Sequence, residues 1–244
     1  MTFNRENFDQ KKASSVEAQS NDANLRALAN QFVEESNKYD YAYHWTWLGL
    51  PIIQLPEDIL VTQEIIWQKK PDLIIETGIA WGGSVILHAA MLELIGKGEV
   101  VAIDSSLPAH VKTEISKYHF SKRIKLIEGN SISNETLSEV RKHLAPQKSV
   151  AVFLDSNHTH EHVLNELRAY GSMVTVDQYL TVYGTAIENM PSPEHRKRLW
   201  GAGNSPLSAI RTYLQESDRF QIDERLDRLS LCTFALNGRL KCIR

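Results

Sequence analysis

One stretch of the sequence, residues 73–84, constrains the fold more than any other. An apolar run ends in the acid Glu76, a glycine-containing turn follows, and the apolar stretch 85–95 comes next. This order predicts a strand, a tight loop and a helix. Glycines let a ligand approach the backbone, and the start of a helix provides free N–H donors. The stretch therefore predicts a ligand-binding loop or a plain structural turn, since glycine marks many strand–helix junctions.

The chemistry of this loop narrows the choice of ligand. Its spacing is related to the dinucleotide fingerprint, but it is not G-x-G-x-x-G. Glu76 at the end of the strand would be a poor neighbour for a pyrophosphate, and it suits a ligand with a cationic or hydroxyl-rich end. The sequence contains no Gly-Lys-Ser/Thr element of a triphosphate loop.

Apolar runs alternate with helical patterns along most of the chain. This alternation predicts an α/β fold with a mostly parallel, twisted sheet and helices on both faces. The carboxyl ends of parallel strands form one rim, where ligands bind. Glu76, Asp104, the 129–131 turn and Asp155 are expected at that rim. The predicted strands are 73–76, 100–104, 124–128, 150–155 and a run within 173–182, and the predicted helices are 56–70, 85–95, 109–119, 133–144 and 160–170.

Two of these strand ends suit an adenosine. Asp104 can accept both ribose hydroxyls, or it can cap the following helix. Asn130 and Ser131 can hold an adenine edge, or they can simply turn the chain.

The densest polar cluster of the sequence is 155–162, which contains three alternating histidines. They can bind a metal, act as a general base, or cap the helix that follows. Histidines at i, i+2 and i+4 do not all face one point in a helix, and closed zinc sites usually recruit ligands from two segments. The pattern therefore favours a base or a capping role. The three are His158, His160 and His162.

Composition limits the classes of partner. A chain of 244 residues with 42% apolar residues and a net charge of −3 has no electrostatic reason to bind nucleic acid. It also has no apolar run of membrane-spanning length and no apolar signal region, so no membrane partner is expected. Its two cysteines, Cys232 and Cys242, form no metal or disulfide pattern, which predicts a cytoplasmic location.

The chain divides into three predicted parts. Residues 1–22 are polar and predict a flexible arm, 23–70 predict a helical and aromatic extension, and 71–244 predict the ligand-binding domain. Within the extension, the aromatic segment 39–54 is either an apolar cover on the core or a lid over a ligand. The irregular stretch 184–203 also predicts a lid. The last two strands are expected at 220–223 and 229–236, with a turn at 237–238.

From 47 to 244 the order of motifs resembles the cephalosporin hydroxylase family. That resemblance implies a Rossmann-like class I methyltransferase fold and S-adenosylmethionine-dependent O-methyl transfer. The matching stretches are 49–51, 54–58, 63–67, 71–78, 82–84, 102–104, 126–129, 155–164 (without Asn157 and Thr159) and 167–170.

The resemblance also implies which residues bind the cofactor. Glu76 would meet its ammonium end, and Asp104 its ribose. The implied cofactor-binding residues are Glu76, Thr77, Gly78, Ala80, Gly82, Gly83, Ser84, Asp104, Ser105, Gly129, Asn130, Ser131 and Asp155.

The sequence departs from the family where magnesium binds. Family members that use magnesium carry Glu-Asp before Thr after the fifth strand, and this chain has Tyr183 and Gly184 there. Asn157 stands where the family usually has a second Asp. Magnesium prefers several oxygen ligands in octahedral geometry, so Asp155 alone is unsuited to hold it. We therefore expect no metal ligands, and the candidate catalytic residues are Asp155, His158 and Tyr183.

These observations predict an S-adenosylmethionine-dependent O-methyltransferase with a small sugar-like or natural-product acceptor. Magnesium is doubtful as a cofactor. Two alternatives stay open, a non-methylating enzyme on the same scaffold and a cofactor-binding protein without turnover. The aromatic N-terminal segment and the resemblance favour a homo-oligomer, a dimer or larger.

Overall fold

A computed structural model of the protein describes residues 4–190 and 198–244. Within them, the strands are β1 (Thr46–Trp47), β2 (Leu50–Pro51), β3 (Leu73–Thr77), β4 (Glu99–Asp104), β5 (Ile124–Glu128), β6 (Val150–Leu154), β7 (Tyr179–Val182), β8 (Phe220–Ile222) and β9 (Arg239–Cys242). The strands β3 to β9 form one sheet in the order β5-β4-β3-β6-β7-β9-β8, in which β9 runs opposite to the other six. This confirms the predicted α/β fold with a mostly parallel sheet. A separate short hairpin is made by β1 and β2.

Helices cover both faces of the sheet. They are α1 (Arg5–Asn21), α2 (Ala23–Asn37), α3 (Pro56–Lys69), α4 (Gly83–Ile95), α5 (Ala109–Ser116), α6 (Asn134–Arg141), α7 (His160–Gly171), α8 (Pro206–Glu216) and α9 (Glu224–Leu229). Side chains alternate along a strand, so Ile74 packs on one face with side chains of α3 and α4, while Ile75 packs on the other with those of α7 and α8. Because the central strands are buried on both faces, their sequences are continuous apolar runs.

The N-terminal segment, which was predicted as a flexible arm, contains the helix α1. This helix buries none of its side chains, and it is capped by Asn4, whose side chain accepts the N–H of Asn7. Gln19 then reaches the carbonyl of Arg228 at 3.3 Å. Because α1 has no apolar stripe, hydrophobic periodicity could not reveal it. Its helical form depends on capping and local propensity rather than burial.

The prediction of a strand over 229–236 is wrong. Glu57 in the first turn of α3 accepts the N–H groups of Leu231 and Cys232, and Asp58 accepts that of Phe234. Backbone donors that bind these carboxylates are unavailable to a sheet ladder. The strand begins only at Arg239, after the predicted turn, and pairs with β7 as well as β8.

The structure describes all of one segment for which a lid was considered, 39–54, and only part of the other, 184–203. The aromatic segment 39–54 packs on the core through Leu50 and Ile52, and it also contributes to the cavity described below. Of the stretch 184–203, residues 185–189 form a short 3₁₀ helix, whereas 191–197 lie outside the described residues. Among the helices of 4–190 and 198–244, none has both the length and the hydropathy that crossing a membrane requires.

Candidate active site

A cavity of about 330 Å³ opens at the carboxyl ends of three neighbouring strands. Gly78, Asp155 and Tyr183, the residues that directly follow β3, β6 and β7, all line it. This agrees with the expectation that ligands bind at this rim of a parallel sheet. Other lining residues come from the glycine loop, the 51–54 segment and the region after β7. They include Ala80, Trp81, Gly83, Ser84, Gln54, Tyr43, His158, Gly184, Met190, Arg198, Trp200 and Phe234.

Glu76 lies behind the cavity wall rather than in it. Its carboxylate is 2% exposed, accepts a hydrogen bond from Ser84 Oγ, and lies 2.8 Å from His88 Nδ1. Ser84 is thus the group between Glu76 and the cavity. The expected contact of Glu76 with a cofactor ammonium stays a prediction, and the structure gives Ser84 as the side chain through which it would act.

Asp104 holds the glycine loop in place. Its Oδ2 accepts the N–H groups of Ile79 and Ala80, at 2.8 and 3.2 Å, and its Oδ1 accepts that of Ser106. With two acceptor sites per carboxylate oxygen, Oδ2 is filled and Oδ1 keeps one free site, so this arrangement leaves Asp104 able to accept one ribose hydroxyl. The sequence could not show the loop-holding contact, which joins residues 25 positions apart.

The 129–131 turn lies beside Asp104. The N–H of Gly129 donates to the Asp104 carbonyl at 2.8 Å, and Asn130 Oδ1 accepts the N–H of Ile132. Ser131 is buried and lies 3.1 Å from His162 Nε2. The predicted adenosine contacts are therefore adjacent to one another, although none of them lines the cavity itself.

Asp155 and His158 form a pair in the cavity wall. Asp155 Oδ1 lies 3.3 Å from His158 Nε2. Burial raises the pKa of Asp155, and the contact with His158 partly opposes that rise. A carboxylate with a raised pKa is a stronger base than an ordinary aspartate, so this pair suits proton abstraction.

Tyr183, the third candidate base, is placed differently. Its hydroxyl lies 2.5 Å from Thr62 Oγ1 on α3, and the residue is 4% exposed. Burial raises the pKa of the Tyr183 phenol. A neutral phenol that is bonded to another hydroxyl is a poor acceptor for a substrate proton, so the geometry favours Asp155 and His158 over Tyr183.

Gly184 makes room for His158. A Cβ atom at position 184 would lie 2.1 Å from His158 Cδ2, and the backbone φ there is +74°. The imidazole therefore fills the space that a side chain after Tyr183 would need. On its other side the ring lies 5.2 Å from that of Trp200, between centroids.

The residues around Asp155 do not fit a magnesium ion. Asn157 Oδ1 already accepts both the N–H and the hydroxyl of Thr159, and Gly184 offers no side chain. No group of three or more His, Cys, Asp or Glu side chains suited to a metal occurs within 4–190 and 198–244. Magnesium prefers oxygen ligands in octahedral geometry, and the one carboxylate here is already paired with the imidazole of His158.

The three clustered histidines face different parts of the molecule, which argues against a shared metal. His162 also approaches Ser156 Oγ and the fully buried Glu166, at 3.3 and 3.4 Å. This network connects the 129–131 turn to the residue after Asp155. The nearest polar partners are Asp155 for His158, Ser208 for His160 and Ser131 for His162.

The strand order, with the one antiparallel strand next to the sheet edge, is that of the Rossmann-like fold of class I methyltransferases. Two solved structures of CmcI share this fold with the chain at 17% sequence identity and cover 83% of it. One, without ligand, gives a TM-score of 0.59 over 77% of its own chain, and the other, with Mg and SAM, gives 0.56 over 78%. An O-methyltransferase from Bacillus cereus in complex with SAH gives 0.51 at 13% identity, covering 81% of each chain.

Within that class, residues 39–243 match the family model described as Rhamnosyl O-methyltransferase/CmcI, and the chain belongs to this family. A rhamnosyl O-methyltransferase of Mycobacterium leprae is 28% identical over 217 residues, which cover 86% of this chain and 90% of that protein. Another, from Mycobacterium bovis, is 28% identical over 204 residues, 80% of this chain and 76% of that protein.

Sequence reasoning missed several residues of the cavity wall. Gln54, Arg198, Trp200 and Phe234 line the cavity, but none was named individually as a site residue. The first three lie in the segments 39–54 and 184–203, for which a lid was considered or predicted. The signal for Gln54 was present, because it is the one amide in the apolar run 52–55. Arg198, Trp200 and Phe234 lie in loops, where no periodicity indicates which side faces inward.

Proposed function

We propose that the protein transfers a methyl group from S-adenosylmethionine to a hydroxyl of a small sugar-like or natural-product acceptor, without magnesium. The observation that carries this proposal is the Asp155–His158 pair in a cavity that is shared with the glycine loop. A base beside the cofactor loop is what O-methyl transfer requires once acceptor and cofactor are aligned.

The residues that would hold the cofactor fit it. The loop 78–84 approaches the cavity closely, Ser84 and the start of α4 suit the amino-acid end, and Asp104 with the 129–131 turn suits the adenosine. S-adenosylmethionine, when bound, supplies a methyl group on a positively charged sulfur. The neighbouring carboxylates Glu76 and Asp155 are of the sign that stabilises a cation here.

The acceptor hydroxyl must lose its proton as its oxygen is methylated. We assign this step to Asp155, which accepts the proton on its carboxylate, while His158 at 3.3 Å orients the carboxylate and shares the proton. Thr62 keeps the Tyr183 hydroxyl out of this exchange. Tyr183 then serves to shape the wall rather than to abstract a proton.

The aromatic side chains that line the cavity support a small organic acceptor. Tyr43, Trp81, Trp200 and Phe234 provide aromatic surface, against which the apolar faces of sugars and polyketide-like rings can pack. The rhamnosyl O-methyltransferases among the relatives support a sugar hydroxyl in particular.

Isothermal titration calorimetry with S-adenosylmethionine and S-adenosylhomocysteine tests the cofactor. We expect micromolar binding of both, and the proposal fails if neither binds at high micromolar concentration. Methyl transfer from radiolabelled cofactor to a panel of rhamnosides and polyhydroxylated natural products then tests the reaction. Asp155→Asn is the negative control for turnover.

We further propose that the protein acts as a homo-oligomer in the cytoplasm. Leu28 and Phe32 of α2 are about half exposed, as apolar side chains at a subunit interface would be in one protomer. Both cysteines are free thiols, as a reducing compartment favours. Sedimentation velocity tests the oligomer, and a purely monomeric protein at micromolar concentration would contradict it.

A further inference from the structure

Gln54 is a buried amide without a partner beside the cavity. The residue is 4% exposed and lines the cavity, and its Oε1 has no hydrogen-bond partner. Among the described residues, its Nε2 donates no hydrogen bond either. Leaving a buried amide unpaired costs free energy, so natural proteins rarely do so without a ligand or a water in place.

The segment that carries Gln54 lies directly on the glycine loop. A Cβ atom at Gly83 would lie 2.3 Å from the carbonyl oxygen of Pro51, so the two backbones touch there. Gly83 is also the first residue of α4. The N–H groups of its first turn have no partner within the helix, and they carry the positive end of the helix dipole.

These two features select the same chemistry. An amide N–H and a helix N-terminus both stabilise an anion, and a carboxylate accepts from both at once. Asp155 is the carboxylate in the described cavity wall, and it is already paired with His158. A carboxylate that completes this site must therefore come from the ligand.

We propose that Gln54 binds the α-carboxylate of the amino-acid end of the cofactor, together with the first turn of α4. This deepens the function proposed above and depends on it. A carboxylate can accept only from Nε2, the donor end of the amide, so this arrangement requires Nε2 to face the ligand. In the reversed amide, the oxygen would instead accept from the cofactor ammonium, and the variants below separate these two arrangements.

Calorimetry with two adenosine ligands tests the assignment. S-adenosylhomocysteine carries the amino-acid end, and 5′-methylthioadenosine lacks it. Gln54→Met keeps the length of the side chain and removes the amide. We expect this variant to bind S-adenosylhomocysteine about tenfold more weakly, the loss typical of one hydrogen bond to a charged group, and methylthioadenosine unchanged.

Two further variants complete the experiment. Gln54→Glu places a second carboxylate against that of the ligand, so it should weaken S-adenosylhomocysteine binding more than Gln54→Met does. Gln178→Met is the matched control, because Gln178 is equally buried but donates to the Lys69 carbonyl and lies away from the cavity. It should leave both affinities unchanged.

The outcomes are distinct. Equal losses for both ligands, or no loss in Gln54→Met, overturn the assignment while the proposed function stands. Wild-type affinity in Gln54→Glu shows that the oxygen faces an ammonium, which also overturns it. If the wild type binds methylthioadenosine as tightly as S-adenosylhomocysteine, the amino-acid end adds no affinity, and the protein has no carboxylate site. Failure of the wild type to bind either ligand defeats the proposed function itself.

Discussion

The contact of His158 Nε2 with Asp155 controls how activity depends on pH. The pKa of Asp155 is raised by burial and partly lowered again by His158. Asp155 must be ionised to accept a proton, so kcat/KM falls as the pH drops through this raised pKa. Without His158 the pKa of Asp155 rises further, and the acid limb must move to higher pH.

We therefore expect His158→Ala to lower kcat about a hundredfold and to shift the acid limb of the pH profile upward. Tyr183→Phe is the paired comparison. It loses only the contact with Thr62, so kcat should change less than threefold, and the pH profile should be unchanged. Steady-state kinetics between pH 5 and 9 measures both. An unshifted profile in His158→Ala contradicts the pairing.

Gly184 permits a second test at the residue scale. Gly184→Ala puts a methyl group on the His158 ring at a backbone φ of +74°, so we expect at least tenfold lower kcat and a loss of about 1–3 kcal/mol in stability. Gly201→Ala is the control, because its Cβ would meet no atom within 4 Å. If both variants behave like the wild type, His158 is not held where the structure puts it.

For single residues, the sequence predicted where a site residue lies in the fold better than it predicted which groups its side chain contacts. Asp155 was expected at the rim, Gly78 was expected in the cofactor loop, and both line the cavity. For Asp104 and Glu76, strand position says where the carboxylate begins but not which amide or hydroxyl it reaches. Ser84 lies 8 residues from Glu76 and Ile79 lies 25 residues from Asp104, so these contacts depend on the folded loop.

At the scale of elements, the N-terminus of α3 binds the C-terminal segment. Asp58 accepts from Arg239 Nη2 at 2.6 Å and from the N–H of Phe234, while Arg239 also reaches Asp227 at 3.3 Å. Asp58 and Arg239 are at most 1% exposed. Since Phe234 lines the cavity, this buried ion pair connects the stability of the tail to the shape of the site.

Asp58→Asn leaves Arg239 with one fewer charge partner in the core, and breaking a buried pair costs about 3–5 kcal/mol. We expect a loss of this size in urea unfolding. Asp177→Asn is the surface control, because its ion pairs with Lys69 and Lys241 involve a side chain that is 60% exposed, and it should cost less than about 1 kcal/mol. Equal costs would show that the buried pair has no special role.

The same contacts explain where element prediction failed. The apolar runs located β3, β4 and β6 because each of these strands is buried on both faces. The edge strand β5 was also found, although only Ile127 of its five residues is buried. The apolar residues of 229–236 look similar in sequence. Their backbone donors, however, are taken by Glu57 and Asp58, which no local pattern could reveal.

For the whole molecule, the main prediction is that methyl transfer does not depend on a metal ion. We expect dialysis against EDTA to leave methyl transfer unchanged, and added magnesium to give no gain, because the site offers one carboxylate and an imidazole. Initial rates with and without chelator measure this. Loss of activity with EDTA that magnesium restores would contradict the metal-free mechanism.

The N-terminal helix gives a contrasting prediction. Deleting residues 1–21 removes α1, which buries no side chain, and retains Asp22, which caps α2. Affinity for S-adenosylhomocysteine should change less than twofold, and unfolding free energy by less than about 1 kcal/mol. A deletion that abolishes cofactor binding would show that α1 is part of the folded unit.

The fit between Gly184 and His158 also restricts how this sequence can change. An acid introduced at 184 collides with the imidazole, and removing the imidazole first takes away the partner of Asp155. Each single replacement passes through a protein with a damaged base. An acid at 184, as a carboxylate-rich metal site would need, can therefore be accommodated only together with a change at His158.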